Sequence, residues 1–175
     1  VPESRFDGGT IRVIDGPHTA LFDDEVLEAF YATEFSRGPR GNRQGVQLAA
    51  DARFTTDHAR GLASDLIGPG DLQMTGDGVP YVLMAECQTV GGYPRIGTVL
   101  AADLPIVAQA APGAILRPRR MPIEEALAAA RSEEAELRDL AGRCAPLVRD
   151  PATIHDLLSY QLVSGTTAGD DLDHD

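Results

Sequence analysis

Up to about residue 118 the chain is cut into short apolar runs by glycine, proline and aspartate, and this punctuation limits its fold more than any other feature. Residues 10–14, TIRVI, alternate and are β-branched, which predicts a strand ended by the turn chemistry of Asp15-Gly16-Pro17. Residues 45–48 predict another short strand, and residues 63–67 and 71–74 predict two more flanking the turn Gly68-Pro69-Gly70. Thr75-Gly76-Asp77-Gly78 is a further turn signal. The continuous apolar run PYVLMA, residues 80–85, reads as a buried strand. Strands over 96–100 and 114–116 complete the series, and residues 36–42, SRGPRGN, read as a Gly/Pro/Arg loop. Two short helices interrupt it. One starts at Asp23 or Asp24, runs to Phe30 or Tyr31 and has Val26, Leu27 and Phe30 as its apolar face. The other, LPIVAQAA, follows Asp103 and stops at Pro112-Gly113. Many short strands at close spacing suggest a small barrel or sandwich rather than a βαβ sheet.

Residues 122–144 differ. Pro122 suits a first helical position, and Ile123, Leu127, Ala130, Leu137, Leu140 and Cys144 fall on one side at helical spacing. Glutamates and arginines fill the other side, so an amphipathic helix of about six turns is expected, packed against the barrel. A second helix is expected over 152–162, started by Asp150-Pro151, followed by a small, acidic, disordered tail. The expected organisation is a mainly β, closed barrel over residues 1–120, a helical extension over 121–163 and the tail over 164–175.

Composition excludes several function classes. The net charge of −12 repels a phosphate backbone and anionic lipids, so nucleic acid and membrane surfaces are not expected partners. No apolar run approaches the roughly 20 residues that cross a bilayer. All 15 basic residues are arginine. A P-loop lysine, a Schiff-base lysine and a biotin-carrying lysine are therefore all impossible within this sequence. Cys87 and Cys144 are far apart and form no CxxC, and the four histidines show no ligand spacing, so no metal site is expected. No GxSxG supports Ser/His/Asp catalysis. The start, VPESRFDGG, is neither a signal nor a transit peptide and lacks an initiator Met, so the chain reads as a piece of something longer, with the cytoplasm as its expected location.

The residues richest in chemistry are 85–96, AECQTVGGYPRI. A strand over PYVLMA that continued would deliver Glu86 and Gln88 at i and i+2, side by side, where a carboxylate and a carboxamide can read an amide or urea group. Gly91 and Gly92 allow close approach of the backbone to a ligand or a positive φ. Tyr93 adds a ring and a phenol, and Arg95 can hold a carboxylate or phosphate. The plainer reading is a tight strand-to-strand connection with solvated charges, and on residues alone both stand. Arg40, Asn42 and Arg43 offer a second anion site, although an exposed loop is the preferred reading there.

QTVGGYPRIGTVLAADLPIVAQAAPG resembles the signature of the family known as allophanate hydrolase subunit 2, the 5-oxoprolinase C-subunit, KipA-like, or the carboxyltransferase-type domain of urea amidolyase relatives. IRVIDGPHTALFDDEVLEAFYATEF, NRQGVQL and GPGDLQMTGDGVPYVLMAE resemble upstream parts of the same family, so the resemblance covers roughly residues 10–128. Within it, Arg95 stands where the family has Lys, Val90 where it has Thr, Glu86 where Asp is common, and Gln44 and Val46 where Met and Tyr are usual. The resemblance implies a cyclophilin-like barrel and the C-terminal half of a longer protein that works with its own N-terminal half and a subunit-1-like partner. It implies an ATP-dependent amidohydrolase opening a small cyclic amide or urea-like substrate, with ATP held by the intact complex. Glu86, Tyr93 and Arg95 would then be catalytic, and Arg43, Gln88, Gly91 and Gly92 would bind substrate. Two alternatives follow from the same resemblance. One is a carboxyltransferase moving a carboxyl group to urea or a related amide from carboxybiotin carried on another chain. The other is a non-enzymatic module that binds a subunit-1-like kinase inhibitor.

Overall fold

The computed structural model describes residues 6–59 and 61–144, together with Ala152 and His155. Seven strands close into a barrel: β1 (Gly8–Ile14), β2 (Phe35–Gly41), β3 (Gly45–Ala49), β5 (Asp71–Met74), β6 (Pro80–Leu83), β8 (Arg95–Val99) and β9 (Ile115–Arg120). Their order around the barrel is β1-β8-β5-β6-β3-β2-β9, and β9 returns to pair in parallel with β1. The other neighbours in the barrel are antiparallel. Two further strands, β4 (Asp65–Leu66) and β7 (Val90–Gly91), pair only with each other. Helices α1 (Asp24–Ala32), α2 (Leu104–Gln109) and α3 (Ile123–Arg143), with short 3-10 turns at Thr19–Leu21, Asp57–Ala59 and Ala101–Asp103, complete the described elements. The barrel expected from strand spacing is therefore present.

Alternation fills the interior. Ile11, Val13, Val46, Leu48, Leu72, Val82, Ile96 and Leu116 are all essentially inaccessible. Phe30 of α1 packs edge-on against Phe54 at a centroid distance of 5.4 Å and lies 5.2 Å from Phe35. α1 buries Leu27 and Phe30 and packs Val26 partly, as its sequence face predicts. Asp103 occupies the N-cap position of α2 without capping it. Its carboxylate instead accepts from the Arg12 backbone N (2.7 Å), Nε (2.8 Å) and Nη2 (2.6 Å), tying α2 to β1.

Four local expectations change. Of residues 36–42, expected as a loop, 36–41 belong to β2. Pairs Arg37↔Leu48 and Gly41↔Val46 leave three residues of β2 facing one of β3, a bulge that takes Pro39 off the ladder where its missing N–H does no harm. Gly38 permits this, because a Cβ there would lie 2.8 Å from Gln47 Oε1. The strand expected over 63–67 shrinks to β4 and pairs with β7, not with β5. The β6 strand ends at Leu83, short of Ala85. β9 extends to Arg120, well past residue 116, because β1 offers it a parallel partner along its length.

The chain divides into two compact units, Val1–Glu136 and Leu137–Asp175, with the division inside α3. In the first unit α3 buries only Ala126, while Ile123 and Leu127 stay half exposed, so within residues 123–136 the expected packing on the barrel is limited to the first turns. Alanine-rich composition sustains the helix without that burial. The second helix and the tail expected after residue 150 lie outside the described residues, Ala152 and His155 apart. No helix among the described residues is long and apolar enough to cross a membrane.

Candidate functional site on the barrel wall

After Leu83 the chain turns instead of continuing as a strand. Met84 N donates to Gln44 O (3.0 Å), Glu86 N to Arg43 O (2.8 Å) and Cys87 N to Met84 O (3.0 Å). Glu86 thus sits in a turn, and the i, i+2 relation to Gln88 expected of a strand does not hold. The turn brings Glu86 to Arg43 instead, with Nη2 to Oε1 at 2.8 Å and both side chains open to solvent. Gln88 is also exposed.

The chain then forms a small flap. Asp65 pairs with Gly91 and Leu66 with Val90, and Ile67 N donates to Thr89 O (3.1 Å). Gly91 lies where a Cβ would meet Ile67 Cδ1 at 2.9 Å and Gln73 Nε2 at 3.0 Å. Its role is close approach, since neither Gly91 nor Gly92 has a positive φ.

Arg95 lies beneath this flap, 5% exposed. Its Nη1 donates to Leu66 O (2.7 Å) and to Asp71 Oδ2 (3.1 Å), and its Nη2 to Asp65 Oδ2 (2.5 Å). Asp71 also accepts from Thr98 Oγ1 (2.8 Å) and Gly68 N (3.1 Å). The guanidinium expected to meet a ligand is therefore engaged by two carboxylates and a carbonyl, one carboxylate from the flap and one from the barrel. The Leu66 backbone N–H, followed by Arg95, holds the Asp65 carboxyl below its ordinary range. His18 adjoins the same group: burial, then the Arg95 charge, pushes its imidazole down against the pull of Asp65 and Asp71. Its Nδ1 is buried without a partner among the described residues. Burial, then Asp71, pushes the Cys87 thiol up, which keeps it protonated and poorly nucleophilic.

The segment does not converge on one cavity. Tyr93, half exposed, lines a cleft of about 470 Å³ with Thr55, Thr56, Asp57 and Met74. Arg43 lines another of about 370 Å³ with Arg37, Met84, Ala85 and Ala108. Among the described residues no three His, Cys, Asp or Glu side chains are grouped to hold a metal. Sequence reasoning missed Asp65, Asp71, Thr98 and His18. They come from four separate segments: barrel register pairs Asp71 with Thr98, while Asp65 arrives on the flap and His18 on the turn after β1.

A closed mixed barrel with a two-stranded flap over a buried Arg–Asp cluster defines the class, and similarity to known proteins names it. Residues 1–119 match the family described as carboxyltransferase domain, subdomain A and B. The chain belongs to this family. It is 35% identical over 137 residues to the C-subunit of 5-oxoprolinase from Escherichia coli K12, covering 78% of this chain and 44% of that protein. It is 37% identical over 127 residues to the C-subunit of 5-oxoprolinase from Haemophilus influenzae, covering 73% of this chain and 41% of that protein. The chain thus spans less than half the length of these curated relatives. The crystal structure of Kluyveromyces lactis urea amidolyase has a similar fold, with a TM-score of 0.67 at 22% identity over 75% of this chain and 8% of that one.

Proposed function

We propose that this chain is part of one component of a multi-subunit, ATP-dependent amidohydrolase that opens a small cyclic amide. The observation that carries the reading is its likeness, at 35% and 37% identity, to two proteins named as the C-subunit of 5-oxoprolinase. The working assembly is this chain, the rest of its own protein and a subunit-1-like partner in the cytoplasm, with ATP bound by the whole.

Opening an amide ring places negative charge on the carbonyl oxygen, and a positioned cation lowers that barrier. Arg43 is suited to this: its main-chain carbonyl is bonded to Glu86 and its guanidinium is exposed. Glu86 would accept from the ring N–H with Gln88 near it in sequence, whereas Tyr93 and Gly92 line a separate cleft and would act there. Arg95 fits a positioning role, fastening the flap that carries Gly91. The test is glutamate formation from 5-oxoproline and ATP by the intact protein with its partner subunits. Absence of ATP-dependent glutamate would sink the reading.

The description of the matched family favours a second reading, transfer of a carboxyl group to urea or a related amide. With no lysine in this sequence, the carboxybiotin must come from another chain or segment. Urea-dependent decarboxylation of carboxybiotin, with no glutamate formed, would select it.

A further inference from the structure

The turn that joins β2 to β3 stands out from the barrel, with residues 39–44 all exposed. Two clefts open against it, and Gly41 and Asn42 line both. One, of about 550 Å³, reaches Arg40, Gln44, Gln73, Thr75 and Tyr81. The other is the cleft of about 370 Å³ that holds Arg37 and Arg43, with an apolar wall of Val46, Met84, Ala85 and Ala108. The charge here is opposite in sign to that of the chain. Asp and Glu outnumber Arg by 27 to 15, yet three arginines and no carboxylate line the two clefts. Arg40 has no ion-pair or hydrogen-bond partner among the described residues. Arg37 donates Nη1 to Gly38 O (3.0 Å), and its buried Nε has no partner among the described residues. The carboxylates at the margins are already engaged, Glu86 by Arg43 (2.8 Å) and Asp77 by the Thr75 hydroxyl (2.5 Å).

The turn is held by its own hydrogen bonds. Asn42 Oδ1 accepts from Gln44 N (2.8 Å) and Gly45 N (3.2 Å), and Asn42 N donates to Gly45 O (3.0 Å). A partner therefore meets Arg40 and Arg43 on a backbone that is already ordered, which removes part of the cost of binding. The arginines do not converge on one point: Arg40 serves one cleft, and Arg37 and Arg43 the other. A small anion would engage only one side, whereas an extended chain crossing the turn can place a carboxylate on each. A nucleic acid fits less well. Tyr81, the aromatic ring of the first cleft, is part-buried rather than presented for base stacking, and a long polyanion would meet the field of a chain of net charge −12. A short acidic segment largely escapes that field, since charges more than about 8 Å away are screened at physiological salt.

We propose that the β2–β3 turn is a docking ridge for an extended acidic segment of a partner protein, with carboxylates paired to Arg40 and Arg43 and an apolar residue between them seated against Val46, Met84 and Ala108. Charge complementarity identifies the partner, and the apolar wall sets its pattern of acids around a leucine-sized side chain. The inference concerns binding to this chain alone and does not rest on the amidohydrolase reading. A segment lying there would shield Arg43 from a substrate, so docking and turnover would exclude each other at that residue.

Fluorescence anisotropy of the full chain with a labelled peptide, Asp-Asp-Leu-Asp-Asp, tests it. The controls are Asn-Asn-Leu-Asn-Asn, Asp-Asp-Ser-Asp-Asp and a short oligothymidylate. The expected result is binding of the first peptide in preference to all three, weakening as salt rises. Arg40→Gln should weaken that binding about tenfold, the value of one charged hydrogen-bonded contact. Ala108→Asp, at an exposed position, should weaken it by repulsion at the apolar wall. Glu86→Gln should act the other way and tighten it, by about fivefold at most, because it frees Arg43 from an exposed ion pair. Thermal melts of the three variants, expected near wild type, separate lost binding from lost folding. No binding of the first peptide, equal binding of either control peptide, or indifference to Arg40→Gln would overturn the proposal. Equal or tighter binding of the oligothymidylate would overturn it in favour of a nucleic-acid surface.

Discussion

Arg95 shows how a residue chosen for its chemistry can be recruited for architecture. Its guanidinium joins Asp71 of the barrel to Asp65 of the flap, and both Arg95 and Asp71 are buried. Arg95→Ala would leave the Asp71 carboxylate buried without its cation, a loss of about 3–5 kcal/mol for such pairs, read by urea unfolding. Arg95→Lys keeps the charge and should lose less, although lysine cannot span two carboxylates and a carbonyl with the same planar fork. Equal losses for the two variants would mean that geometry, not charge, holds the cluster. Gly91→Ala makes the opposite kind of prediction. The atoms its Cβ would meet are the ends of Ile67 and Gln73, so the fold can yield for about 1 kcal/mol or less. Gln73 and Ile67 must then shift aside, and the melting temperature should barely move. A large drop in melting temperature would contradict this.

Among the elements, the flap is the part whose stability should follow pH. Asp65 and His18 both lie below their ordinary values in the folded chain, 3.8 for the carboxyl and 6.5 for the imidazole. The unfolded chain therefore binds more protons, and stability is complete above those values and lost as pH falls through the folded ones. Unfolding free energy should decline in two stages, first below about pH 6.5 as His18 is protonated and then near pH 4 and below with Asp65. His18→Gln should remove the upper stage. A flat profile between about pH 7 and pH 5 would refute the placement of His18 beside this cluster. Helix α1 carries a different signature. The Tyr31 hydroxyl is buried with no partner among the described residues, and burial, then Asp15, pushes the phenol up to about 12. Its ring keeps a contact with the Arg120 guanidinium at 5.9 Å. Tyr31→Phe keeps the ring and removes the orphaned hydroxyl, so stability should be unchanged or rise. A loss above about 1 kcal/mol in urea unfolding would show that the hydroxyl is paired in solution.

These elements also show what was legible in the sequence. β1, β3, β5 and β6 announce themselves through β-branched or apolar runs between turn residues, and α1 through its apolar spacing. β2 does not, because FSRGPRG has no apolar pattern after Phe35. It is a strand only because β3 and β9 supply partners on both sides. β4 and β7 are two residues each and carry no periodicity at all. The Arg95 cluster was invisible for the same reason, since its acids lie 24 and 30 positions away and only register unites them. Of Arg40, Asn42 and Arg43, read together as a second anion site, Arg40 and Asn42 line one open cleft, and Arg43, with Asn42, lines another.

At the scale of the whole molecule, the barrel and its family are established, and the proposed activity belongs to a larger assembly. Less than half of each curated relative is represented in this chain, so the reaction is proposed for the assembly and not for this chain by itself. The measurement that bears most directly on the proposed function is the coupling of ATP hydrolysis to 5-oxoproline in the assembled complex. ATP hydrolysis should depend on 5-oxoproline, and glutamate and inorganic phosphate should appear in equal amounts. ATP hydrolysis indifferent to 5-oxoproline, or phosphate release with no glutamate, would contradict it.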